Sequence, residues 1–192
     1  SQEATPAFNP FQLKTKATYS NGQFTLLGEK TLVVLGETSD LILVNAEYNG
    51  KPDLYIVKRD STIRFKKSPA MGLKATETVN LLFNNTPAER LGDNDFNYTE
   101  FLDLGNLMWC AIAVGTCEAI KKYCIQYANE RTAFGEPISH RQSVAFMIAD
   151  MAIEIEAMHM LILNAASLAE AGKSFHREAY LARILCAEKS MK

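Results

Sequence analysis

Near residue 95 the apolar residues of this chain change their spacing, and that switch constrains the fold more than any other feature. Up to about residue 92 they run in short β-branched stretches, TYS-NG-QFTLL, TLVVLG, DLILVNAEY-NG-K and DLYIV. Asn21-Gly22 and Asn49-Gly50 interrupt the stretches with the two residues that best accept the left-handed conformations of tight hairpins. From Tyr98 onward Phe101, Leu104, Met108, Ile112, Ile120, Tyr123 and Tyr127 recur at helical spacing as one stripe. The pattern predicts an α+β, multi-domain chain: an antiparallel β-domain over residues 1–94, then helices of an up-down bundle over 95–192. Limited proteolysis should cut first between the two, at residues 92–97.

Within the first half, residues 75–83 (ATETVNLLF) read as one more strand, and the turn formers from Pro87 to Asn94 read as its end. In the second half the first helix ends near Arg131. After the turn at Gly135-Glu136-Pro137, Ser139 with Gln142 reads as a capping box for a second helix running to about Ala171, where Gly172 stops it. A third helix starts near Phe175, and its pattern (Leu181, Ile184, Leu185, Met191) is unbroken at Lys192. Three amphipathic helices with no closing partner predict an incomplete bundle, a piece of a longer protein, and a chain that does not remain monomeric because apolar stripes are left uncovered.

The chain's 192 residues, 47% hydrophobic and 22% charged, suit two modest folded domains. A formal charge of −2 leaves no broad basic field for phosphates or anionic lipid, so nucleic acid and membrane surfaces are set aside. With no apolar run of about 20 residues and no signal-peptide order in the first residues, a cytoplasmic location is expected. Cys110, Cys117 and Cys124 recur every seven residues and so stack two turns apart, roughly 10 Å, along one helix face. That is too far for a disulfide between neighbours. Together with Cys186 they read as small buried thiols. His140, His159 and His176 are too scattered to suggest a ligand set, so no metal is expected.

Residues 130–138 (ERTAFGEPI), Gln142, residues 146–151 (FMIADM) and Glu156-Ala157 together resemble the helical-domain signature of acyl-CoA dehydrogenases. Upstream, residues 28–30 (GEK), residues 71–78 (MGLKATET), Pro87 and Leu91-Gly92 are similar to the family's middle β-domain. The matches keep the family's order from about Leu13 to Met191. The resemblance implies an acyl-CoA dehydrogenase-type β-domain followed by a truncated C-terminal helical domain. It also implies FAD as cofactor and a carboxylate base that takes the proton next to the thioester carbonyl.

Site residues follow from the resemblance position by position. Arg131 matches an arginine that reaches the cofactor pyrophosphate across a subunit interface, a task suited to a guanidinium that bonds two phosphate oxygens at once. Phe134 and Gln142 match neighbouring cofactor contacts. Leu32 and Val34 stand where the family commonly places a tryptophan and a hydroxyl beside the flavin ring. Residues 2–9 (QEATPAFN) keep only Glu3 of the loop that faces flavin and substrate, with Phe8 where a small hydroxyl is usual. Asp103 matches a contact to the CoA portion, and Asn106 replaces the usual arginine. No residue of the chain occupies a known base position: the early one falls on Gly105, and the late-loop glutamate would lie beyond Lys192. Read without the resemblance, Arg131 is a cation at a helix C-terminus, Gln142 a capping residue and Asp103 an acid in a helix's first turns.

The function expected is α,β-desaturation of acyl-CoA by the whole protein. An electron-accepting flavoprotein is its partner, a homodimer or homotetramer is its assembly, and this chain alone is inactive. A structural subunit or paralogue that has lost FAD and base is the alternative, favoured by Leu32, Val34, Phe8 and Asn106. An acyl-CoA oxidase or nitroalkane oxidase on the same scaffold is a third reading.

Overall fold

A computed structural model describes residues 2–4, 8–68, 74–92 and 96–191. The chain divides into two compact units, Ser1–Tyr98 and Thr99–Lys192. Part of the expected cleavage segment (93–95), the first three residues of the MGLKATET match (71–73) and part of the loop 2–9 lie outside the described residues.

The first unit is built from β1 (Lys16–Ser20), β2 (Gln23–Val33), β3 (Leu41–Tyr48), β4 (Lys51–Lys58), β5 (Ile63–Lys67) and β6 (Val79–Arg90). The strands hydrogen-bond in the order β2-β1-β3-β4-β6-β5, and a further pairing of β2 with β6 closes the first five into a barrel-like sheet. All pairings are antiparallel except one parallel contact of β1 with β3. Alternation along the strands sends Leu26, Val44, Ala46, Tyr55, Val57 and Leu81 inward, where they are fully buried. Both Asn-Gly pairs sit at hairpin tips with positive φ at each residue, 50° and 81° at Asn21-Gly22, 52° and 79° at Asn49-Gly50.

One expectation in this unit is corrected. Residues 74–76 form a short 3-10 turn, the strand begins only at Val79, and it runs through Pro87 to Arg90 instead of ending there. Pro87 is tolerated because the ladder is already irregular beside it: the register shifts between Leu26 and Leu27, and Asn85 takes a left-handed φ of 52°.

In the second unit, α1 (Tyr98–Glu130), α2 (Gln142–Glu170) and α3 (His176–Lys189) enclose Leu107, Cys110, Val114, Ile155, Met158, Ala165, Phe175, Ala179, Ala182 and Cys186. The stripe read from the sequence on α1, Phe101 through Tyr127, is not in this core. Its seven residues are exposed, and the packed face is the one through Leu107, Cys110 and Val114. α1 is therefore apolar on two faces. The capping box is also corrected. Arg141 is the N-cap of α2 and makes no side-chain cap bond, while Ser139 is taken up in a 3-10 turn over Ile138–His140. Likewise α3 closes at Lys189, with the Ser190 N–H bonded to the Cys186 carbonyl, and does not run on to Met191.

Cys110 on α1 and Cys186 on α3 are both fully buried in the same core cluster. Burial pushes both thiols up, Cys186 to about 12. A thiol reagent at pH 8 should therefore label Cys124 in the folded protein and reach Cys110 and Cys186 only on unfolding. Mass-spectrometric mapping of the labelled peptides checks this. Early labelling of either buried thiol would show that the α1–α3 contact is not formed.

Candidate functional site

Three groups of residues carry the candidate chemistry, and each is placed by its own element. The first lies on the β-barrel. A register shift between Lys30 and Val33 leaves Leu32 in a bulge with φ of 54°, and Leu35 follows at 52°. The bulge turns Leu32 and Val34 out, 53% and 56% exposed. With Leu41 and Leu43 they line a shallow hollow of about 280 Å³ whose side chains are apolar but for Ser39. Such a wall offers van der Waals surface to a planar ring and no hydrogen bond from a side chain at Leu32 or Val34.

Behind that wall the short segment at Gln2–Glu3 is fixed to β2. Gln2 and Thr31 exchange both backbone hydrogen bonds. Glu3 accepts from the Lys30 ammonium at 2.7 Å and from the N–H groups of Lys14 and Thr15. Side-chain exposure of the pair is 0% for Lys30 and 3% for Glu3. Burial alone would raise the Glu3 carboxyl, but the Lys30 bond and the two N–H bonds outweigh it and hold the group at about 2. Burial also lowers the Lys30 ammonium, against the pull of Glu3.

The second group is at the start of α1. Gly105 is exposed, and a Cβ built on it would meet nothing within 4 Å. Asn106 is half-buried. Asp103 is only 3% exposed, and both of its carboxylate oxygens lie 3.0 Å from Nδ1 of His176, the first residue of α3. Tyr180, one turn further along α3, packs against the imidazole with the two rings tilted, and its hydroxyl is raised by burial and by the Asp103 charge. Asp103 thus ties α1 to α3. Sequence reasoning missed His176, because a contact between residues 103 and 176 leaves no periodic trace. Asp103→Ala should lower the stability of the helical unit by about 1 kcal/mol, less than the roughly 1.5–3 kcal/mol of a fully buried charged hydrogen bond because His176 is half in water. The single tryptophan, Trp109, reports urea unfolding of this unit. An unchanged midpoint would mean that the tie is absent in solution.

The third group is at the other end of α1. Its last turn leads into a hairpin of β7 (Thr132–Ala133) and β8 (Glu136–Pro137), closed across its base by the Ile138 N–H donating to the Arg131 carbonyl. Phe134 and Gly135 form the tip with φ of 56° and 86°, and Phe134 is 94% exposed. Arg131 and Gln142 are exposed, and no described residue pairs with the Arg131 guanidinium. Arg141, which the sequence reading passed over, lies with its guanidinium 4.8 Å from the Phe134 ring centroid.

A family model described as acyl-CoA dehydrogenase, C-terminal domain, matches residues 97–192. The chain belongs to the acyl-CoA dehydrogenase family. An acyl-CoA dehydrogenase of Bacillus subtilis is 30% identical over 194 residues, covering 94% of this chain and 51% of the relative. Subunit CarC of the caffeyl-CoA reductase–Etf complex of Acetobacterium woodii is 30% identical over 189 residues, covering 92% and 50%. The solved butyryl-CoA dehydrogenase of Megasphaera elsdenii superposes with a TM-score of 0.80 at 27% identity, covering 93% of this chain and 50% of that one. The chain therefore spans about half the length of the acyl-CoA dehydrogenases it matches, and its architecture is theirs: a β-barrel-like sheet followed by three long helices. No helix among the described residues is long and apolar enough to cross a membrane.

Proposed function

We propose that the whole protein is a FAD-dependent acyl-CoA dehydrogenase that forms an α,β double bond in acyl-CoA thioesters. In this reading the chain contributes an apolar wall beside the flavin and, from the far end of α1, an arm to a site on a second copy. The separation of the groups along α1 carries the reading. Asp103 and Asn106 stand 28 and 25 residues before Arg131 on one continuous helix, which at 1.5 Å per residue puts them roughly 40 Å from it. A single dinucleotide is too short to join both ends within one copy. An arm that ends in a guanidinium unpaired among the described residues and in a phenyl ring 94% exposed therefore suits a site outside its own.

The residues fit the cofactor unevenly. Arg131, Phe134 and Gln142 offer a cation, a stacking face and an amide to the pyrophosphate end. Leu32 and Val34 offer the ring end only contact. The flavin, when bound, supplies the hydride acceptor, while a carboxylate of the protein takes the proton next to the thioester carbonyl. Electrons then pass to an electron-accepting flavoprotein, a partner class supported by the complex in which CarC is named. The exposed apolar face of α1 supports assembly as a homodimer or homotetramer.

The test is the absorption spectrum of the whole protein, followed by dye reduction with acyl-CoA. A yellow, active protein whose flavin affinity falls about tenfold in Arg131→Ala, the size of a lost charged hydrogen bond, supports the reading. A colourless and inactive whole protein supports the second one, a structural subunit of the same fold. Two observations favour that alternative: the apolar wall at Leu32 and Val34, and the engagement of Asp103 by His176, which leaves its carboxylate little reach toward a ligand.

A further inference from the structure

We propose that Arg141 is a positioning residue that fixes the Phe134 ring in the orientation in which the arm presents it. The inference rests on the reading that this arm meets a dinucleotide outside its own copy. A hairpin of two rungs, Thr132 with Pro137 and Ala133 with Glu136, has too few bonds to hold its own tip. Phe134, almost wholly in water, has no core to hold its ring either. Arg141 supplies both restraints from the N-cap of a 29-residue helix. Its Nη2 donates to the Ala133 carbonyl at 3.3 Å, next to the tip, and its guanidinium lies over one face of the phenyl ring, 4.8 Å from the centroid. A cation on a ring face is attracted by the ring quadrupole, and a planar guanidinium also restricts the ring's tilt. The remaining ring surface stays free to stack on a planar group.

The side chain of Arg141 is free for this task because the helix start depends only on its backbone. The Arg141 N–H donates to the Ile138 carbonyl, and the Arg141 carbonyl accepts from the N–H groups of Val144 and Ala145. Substituting the side chain leaves those bonds in place, so the arm can be loosened without unfolding α2.

The experiment uses the chain labelled with 4-fluorophenylalanine, the Phe134 resonance being assigned by its loss in Phe134→Leu. In Arg141→Ala that resonance should move to the position of a solvated phenyl group, while Arg141→Lys, which keeps the cation, retains part of the native shift. Thermal unfolding should stay the same in both, which separates positioning from a structural role. An unchanged Phe134 resonance in Arg141→Ala overturns the proposal. In the whole protein, Arg141→Ala should weaken flavin binding about two- to fivefold, the range of an exposed cation–π contact, and cause no further loss in a Phe134→Ala background. An equal loss in that background would mean that Arg141 touches the cofactor directly, which also overturns the proposal. A whole protein that takes up no flavin refutes the proposed function, and the fluorine resonance still decides the role of Arg141.

Discussion

Glu3→Ala is expected to cost the β-barrel unit about 3–5 kcal/mol, the range for removing one member of a buried ion pair. The substitution strands the Lys30 ammonium, which is wholly enclosed, and takes the acceptor away from the Lys14 and Thr15 N–H groups. Marginal domains hold only about 5–15 kcal/mol in all, so the variant should be partly unfolded at ambient temperature. Replacing both partners at once, Glu3→Gln with Lys30→Met, should recover most of the loss, because no charge is then buried and the amide oxygen still accepts from the Lys14 and Thr15 N–H groups. Urea unfolding followed by amide spectra of the barrel measures both variants. A single-variant loss under about 1 kcal/mol would show that water reaches the pair. The pH dependence has a definite sign. The Glu3 carboxyl is held at about 2, below its ordinary 4.5, so its stabilisation is complete above pH 4.5 and disappears as the pH falls toward 2. About 3 kcal/mol is at stake in that window.

That pair marks where the sequence stopped being informative. Glu3 and Lys30 were each visible as remnants of a family motif, but nothing in the spacing shows that residues 27 apart meet inside the barrel. The switch of period near residue 95 was readable because a strand buries every second side chain and a helix every third or fourth. The Asn-Gly tips were readable because few other residue pairs accept two successive left-handed conformations. Pro87 misled because its missing N–H argues against a strand only where the ladder is regular, and beside Asn85 it is not. On α1, periodicity found an apolar stripe but could not tell which of two apolar faces the unit's own core would take, since burial is decided by helices many residues away. Arg131 and Phe134 came from motif resemblance. His176 and Arg141 act through single long-range or side-chain contacts, for which a pattern of residue types has no signal.

The 192-residue chain on its own is expected neither to retain flavin nor to desaturate acyl-CoA, and placing a glutamate at Gly105 should not change this. The base position implied by the family falls on a residue with no side chain, in open space. A carboxylate there would be free in water with nothing to hold it against a substrate carbon, and effective proton removal depends on holding the reacting groups within about 3–3.5 Å in line. On the barrel, Leu32 and Val34 give a flavin ring contact area but no directed bond from a side chain, so their side chains neither orient nor polarise the ring. The Arg131 guanidinium could still attract a pyrophosphate, yet an exposed cation in physiological salt is screened within about 8 Å and contributes little. Binding and positioning are thus short together, and restoring a base alone repairs only the chemistry. The checks are an absorption spectrum of the purified chain after gel filtration with FAD, then dye reduction with a series of acyl-CoAs for the chain and for Gly105→Glu. A yellow band in stoichiometric amount would refute the cofactor part of the argument. Turnover in Gly105→Glu that is lost on Arg131→Ala would refute the rest, because it would require both ends of α1 to serve one assembled site without any further polar wall.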